Sequence, residues 1–154
     1  MKGAGHGSES SRSDVQEKFE MYKKIMDEKG EAKAWEELFK GYPERQKQNL
    51  GKFIDNASLA EGFSKGVEMY KQFGMEMQIV DISNRGMDGV LEIQRVCPVL
   101  TVSKEYGFEK PCHIICEMDV EATKKAFPGT SGEILARQAD GACVCIFKYE
   151  RKAK

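Results

Sequence analysis

The spacing of apolar residues changes after Gly74, and that change sets the fold class. Before it, apolar side chains recur three and four apart, the repeat of a helix face. After it, stretches alternate, the repeat of a strand. Val15, Phe19, Tyr22 and Ile25/Met26 mark a first helix, predicted to start at Asp14 with Glu17 in capping-box position and to end at Gly30. Trp35, Leu38 and Phe39 mark a short second helix, closed by Gly41 and followed by Pro43. From Pro43 to Phe73 the spacing is again helical, as one long helix or as two with a break near Asn56, where Ser58 and Glu61 offer a new start. Gly62 and Gly66 each weaken a helix by ~1 kcal/mol, and their four-residue spacing predicts close approach to a neighbouring backbone.

Beyond Gly74, "MEMQIVDIS" and "GVLEIQRVC" flank the loop "NRGMDG" and read as an antiparallel hairpin. "PVLTVSKEYG", with Pro98 in its first turn, and the segment from Pro111 to Phe127 read as helices. "GEILARQ" and "ACVCIFKYE" form a second hairpin, with Asp140-Gly141 as a tight-turn signal. The expected architecture is α+β: a helical N-terminal half packed on a largely antiparallel four-stranded sheet made of two hairpins. Residues 1–13, rich in Gly, Ser and charge, are expected to form a disordered tail, and residues 14–150 a single domain.

Charge and cysteine usage narrow the function. With 24 Lys and Arg against 25 Asp and Glu, the chain lacks the basic excess that binding a phosphate backbone needs, so no nucleic-acid partner is expected. No apolar run reaches the ~20 residues of a membrane span, and "MKGAGHGSESSRSD" lacks the apolar core of a signal peptide. A cytoplasmic protein with a small-molecule partner is expected, and association of copies is compatible with the sequence. All five cysteines fall between Cys97 and Cys145. In a reducing compartment an odd, clustered set points to packing, metal binding or thiol chemistry rather than disulfides.

Periodicity places each sulfur on a face. Cys112, Cys116 and Asp119 are four and seven apart, one stripe of a helix, with His113 beside it. Cys143 and Cys145 alternate along a strand, with Phe147 and Tyr149 beyond them. Cys97 ends a strand on the side of Leu91 and Ile93. If these faces meet, the result is a thiol-lined pocket with one carboxylate.

Three stretches, Cys97-Pro98, "CEMD" from Cys116 to Asp119, and the closing "LARQADGACVCIFKY", resemble the L-2-amino-thiazoline-4-carboxylic acid hydrolase family and, more distantly, vinyl-reductase-type small-molecule-binding domains. The resemblance covers the C-terminal half and reaches Cys97, Cys116, Asp119 and Cys145. It implies opening of a cyclic thiazoline by water, with Cys145 as nucleophile, Asp119 as proton carrier, and Cys116 and Cys97 beside them. His113, Phe147 and Tyr149 are the candidate substrate-binding residues. The hydrolase needs no cofactor. The surplus of thiols supports a rival reading, in which Cys97, Cys112, Cys116, Cys143 and Cys145 supply ligands to zinc or an iron–sulfur cluster in a redox or small-molecule sensor.

Overall fold

Helices fill the first half of the chain. In the computed structural model residues 2–108 and 114–154 are described, with side chains from residue 15 onward. Helix α1 spans Lys2–Lys29, α2 Glu31–Phe39, α3 Tyr42–Ile54 and α4 Leu59–Gln72. The first helix thus starts at Lys2 rather than at Asp14 and runs through the stretch expected to form a disordered tail. Gly30 (φ 92°) and Gly41 (φ 78°) break the helical run in backbone conformations that side chains disfavour. The stretch after Pro43 forms two helices, interrupted over residues 55–58. Ser58 starts the second, its Oγ accepting the Glu61 N–H at 3.1 Å.

The strands are β1 (Glu76–Asp81), β2 (Met87–Val96), β3 (Ser131–Ala136) and β4 (Cys145–Lys152), with α5 (Pro98–Glu105) and α6 (Ile115–Ala126) between β2 and β3. They form one sheet in the order β1-β2-β4-β3, antiparallel at every pairing. The protein is therefore α+β, with a helical N-terminal half and two hairpins joined through β2 and β4. Helix α4 packs on β1 and β2, α6 packs on β3, and α3 bridges α4 and α6. The main core lies between these layers, with Ile54, Leu59 and Phe63 meeting Val90, Phe147 and Tyr149. Among the described residues no helix is long and apolar enough to cross a membrane.

Three expectations are corrected. The tight turn belongs to the first hairpin rather than the second. Arg85 (φ 51°) and Gly86 (φ 77°) both take positive φ, and Asn84 and Met87 exchange backbone hydrogen bonds at 3.0 Å. The second connection instead contains a 3-10 turn at Gln138–Asp140, with Gly141 at φ 96° and the Arg137 carbonyl accepting the N–H groups of Asp140 and Ala142. That longer path delays β4 until Cys145, so Cys143 sits exposed in the preceding bend and shares no strand face with Cys145.

The third correction concerns β2. Its helix-covered face carries Asp88, Val90, Glu92 and Gln94, all buried, while Leu91 and Ile93 turn to the other side. Cys97 follows the strand as the residue capping α5, rather than continuing the Leu91 and Ile93 face. As for the helix expected from Pro111 to Phe127, its described part is α6, and residues 109–113, including Cys112 and His113, lie outside the described residues.

Polar groups on the covered face are accommodated by specific contacts. Asp88 lies opposite Arg151 in the β2–β4 register, and Arg151 Nε donates to Asp88 Oδ2 at 2.9 Å. The Leu59 N–H at the start of α4 donates to both Asp88 oxygens at 3.1 Å. Arg151 Nη2 donates to the carbonyls of Ile54 (2.9 Å) and Ala57 (2.6 Å). One ion pair thus ties the α3–α4 break to the centre of the sheet. At the same junction, a Cβ on Gly62 would stand 2.6 Å from Ile54 Cγ2 and 2.8 Å from the Phe53 oxygen, so α4 approaches the end of α3 as closely as a glycine allows.

Two stability predictions follow from this junction. Asp88→Ala strands the Arg151 guanidinium and should lower unfolding free energy by about 3–5 kcal/mol in denaturant titration. Gly62→Ala should cost about 1–3 kcal/mol by overpacking, read in the same way.

Candidate functional site

Helices α3, α4 and α6 arch over the sheet without filling the space beneath them, leaving a cavity of about 310 Å³. Its wall is mostly apolar: Leu50 and Phe53 from α3, Phe63 and Met69 from α4, Met77 from β1, and Phe147 from β4. Gly62 and Gly66 on α4 also face it. The polar groups converge from different elements: Lys18 from α1, Tyr42, Gln46 and Asn49 from α3, Tyr70 from α4, Glu92 and Gln94 from β2, Asp119 and Thr123 from α6, and Tyr149 from β4.

Asp119 is held by its neighbours. Tyr42 donates its hydroxyl to Asp119 Oδ1 at 3.0 Å, and Gln46 Nε2 reaches the same oxygen at 3.4 Å and Thr123 Oγ1 at 2.9 Å. Burial pushes the Asp119 carboxyl upward, while the Tyr42 hydrogen bond and the Lys18 charge pull it down. Glu92 has no such support. Burial, and then repulsion from Asp119, push it up to about 8. The phenols of Tyr42, Tyr70 and Tyr149 are all raised, first by burial and then by these carboxylates, so they remain neutral donors.

The sequence-predicted residues divide by place. Cys97, Cys116, Asp119, Phe147 and Tyr149 line this one cavity, with Cys116 one turn before Asp119 on α6. Cys145 does not reach its wall. It is 2% exposed on the covered face of β4, where its Sγ accepts the Gln138 N–H at 3.3 Å. Burial raises the Cys97 thiol, which keeps it protonated and weakly nucleophilic. Among the described residues no group of three or more His, Cys, Asp or Glu side chains is gathered to hold a metal ion.

Glu92, Tyr42, Gln46 and Tyr70 escaped the sequence reading, which followed sulfur. A signal for Glu92 was present: in "MDGVLEIQRV" the alternation puts Asp88, Glu92 and Gln94 on one face. Taking the apolar Leu91 and Ile93 side as the inner one hid it.

Beside the cavity lies a second depression, bounded by Glu17, Met21, Leu38 and Arg45, and the two share Lys18, Tyr42 and Ile115 as a common wall. The Tyr42 ring in that wall lies between Lys18 Nζ (5.7 Å from its centroid) and the Arg45 guanidinium (5.2 Å).

No family model and no curated protein matches the chain. Among solved structures, the phenol-responsive sensory domain of the transcription activator PoxR with phenol is similar, with a TM-score of 0.53 and 9% sequence identity over 89% of this chain and 74% of that one. At that identity the likeness is one of fold.

The raised Glu92 carboxyl has a consequence for stability. Below its ordinary value of 4.5 the group is protonated in both folded and unfolded chains and contributes no pH dependence. Between 4.5 and about 8 the unfolded chain loses the proton and the native state keeps it, so the unliganded protein loses stability as pH rises through that window. Denaturant midpoints measured from pH 4 to 9 should fall across it by an amount worth several kcal/mol at most, at about 1.4 kcal/mol per pH unit. Glu92→Gln should flatten that part of the profile.

Proposed function

We propose that the protein is a small-molecule-binding domain whose ligand occupies the cavity beneath α3, α4 and α6. The observation that carries this reading is the cavity itself: about 310 Å³, walled by aromatic and Met side chains, with a few buried polar groups aimed inward. Binding sites for small organic molecules have that size and that mixture. A domain selected only for stability would fill the space, because an unfilled core forfeits packing energy. The fold likeness to the PoxR sensory domain, solved with phenol, supports the same reading.

A hydrolytic use of the same cavity, the activity implied by the thiazoline-hydrolase resemblance, draws support from Cys97, Cys116 and Asp119 on its wall. Within that reading Cys116, beside Asp119, is better placed than Cys145 to meet a substrate held there. The two readings separate in one assay. A hydrolase consumes a cyclic thiazoline and loses turnover in Cys116→Ser or Asp119→Asn. A sensor leaves the compound intact.

Ligand binding is tested by thermal unfolding. Small aromatics such as phenol, benzyl alcohol and benzylamine should raise the unfolding temperature, with about 2.7 kcal/mol of stabilisation at a hundredfold excess over Kd. Met77→Trp, which fills the cavity from β1, should abolish the shift while the variant stays folded. Absence of any shift across the panel would overturn the proposal.

A further inference from the structure

One group on the cavity wall stands without a partner. Glu92 is 6% exposed, lines the space beneath the helices, and makes no hydrogen bond or ion pair among the described residues. Asp119, by contrast, is met by Tyr42 and Gln46. The Glu92 carboxyl opens onto the cavity, so whatever occupies that space is its partner, and a carboxyl so buried is costly without one.

We infer that the cavity selects small organic cations, with Glu92 as the principal counter-charge to a protonated amine or amidine and Asp119 as a second carboxylate within its field. The inference rests on the small-molecule reading of the same cavity and names the chemistry of its ligand.

Three features of the wall point the same way. Its charged groups are the two carboxylates and Lys18, and Lys18 is exposed on α1, where solvent and salt screen it. An anionic ligand would enter against two buried acids. Phe63, Tyr70, Phe147 and Tyr149 line it with aromatic rings, whose faces attract cations more strongly when water is excluded. Phe63 and Tyr149 stand with centroids 5.4 Å apart, forming one aromatic corner. A neutral hydroxyl would leave Glu92 protonated and the Asp119 charge without a counter-ion, whereas a cation lets Glu92 ionise and balances the carboxylates beside it.

The proton balance is straightforward. The titratable or charged groups around Glu92 are Tyr42 from α3, Tyr70 from α4, Cys116 and Asp119 from α6, Tyr149 from β4, Cys97 after β2, and Lys18 from α1. In the empty site Glu92 holds its proton at neutral pH. An entering cation displaces that proton to solvent, so the charge of the site is conserved. A cavity of about 310 Å³ suits a small organic molecule.

The test is calorimetric titration of the full chain at neutral pH with benzylamine, benzyl alcohol and benzoate, which share a ring and differ in charge. Benzylamine should bind at least about tenfold more tightly than benzyl alcohol to the wild type. In Glu92→Gln, a near-isosteric change, that preference should largely vanish while the alcohol still binds. Equal or tighter binding of the alcohol or of benzoate to the wild type would overturn the cation inference and leave the small-molecule reading standing. Failure of all three to bind would overturn both. If Glu92→Gln does not fold, titration of the wild type in buffers of different ionisation enthalpy decides: release of about one proton per amine supports the inference, and no release overturns it.

Discussion

The Asp88–Arg151 pair holds the helical layer in position over the sheet. Each partner lies on a central strand, and each reaches to the α3–α4 break: Asp88 to the Leu59 N–H, and Arg151 to the carbonyls of Ile54 and Ala57. Exposed ion pairs contribute little because water competes for both charges. This pair is nearly buried and is further hydrogen-bonded to helix-end backbone by both partners, the condition under which a low-dielectric pair keeps its strength. Its position also determines what lies beyond it. With the start of α4 held down, the helix passes over β2 and β1 at a height that leaves room beneath its middle turns, where Gly66, Met69 and Tyr70 face the cavity.

Packing and vacancy therefore alternate along α4. At its first turns Gly62 allows contact with the end of α3. Farther along, the layers part, and the space is bounded by Tyr42, Gln46 and Asp119 in a hydrogen-bonded arrangement. These bonds fix the polar part of the wall.

Much of this was legible in the sequence, and the rest was hidden for definable reasons. Most of the helices and the four strands follow from local spacing, because helix and strand faces repeat at different intervals, while the spacing left open whether the run after Pro43 breaks near Asn56. The stripe that Cys116 shares with Asp119 follows from helix periodicity, whereas Cys97 meets the same cavity from the start of α5 rather than from a strand face, and Cys145 stays outside it. The start of β4 was not legible, because Asp140-Gly141 reads as a two-residue turn, while the competing hydrogen bonds to the Arg137 carbonyl build a longer one. The face of β2 was misjudged because apolar residues were taken to point inward. That rule fails where a strand lines a cavity or anchors a helix, and β2 does both, through Glu92 and Asp88 respectively.

The inverted face of β2 makes strand register a point of discrimination between two molecules. A slip of one residue would send Leu91 and Ile93 under the helices and turn Glu92 and Gln94 out to water. Judged by hydrophobicity alone, that mispaired sheet would be the better folded protein, with an oily core and no chamber. What it lacks is the match of Asp88 to Arg151, since the same slip that hides the leucine and isoleucine parts the two charges. The pair thus discriminates between the two registers. It favours the one that keeps a cavity over the one with the greasier interior, from a contact that lies outside the cavity wall.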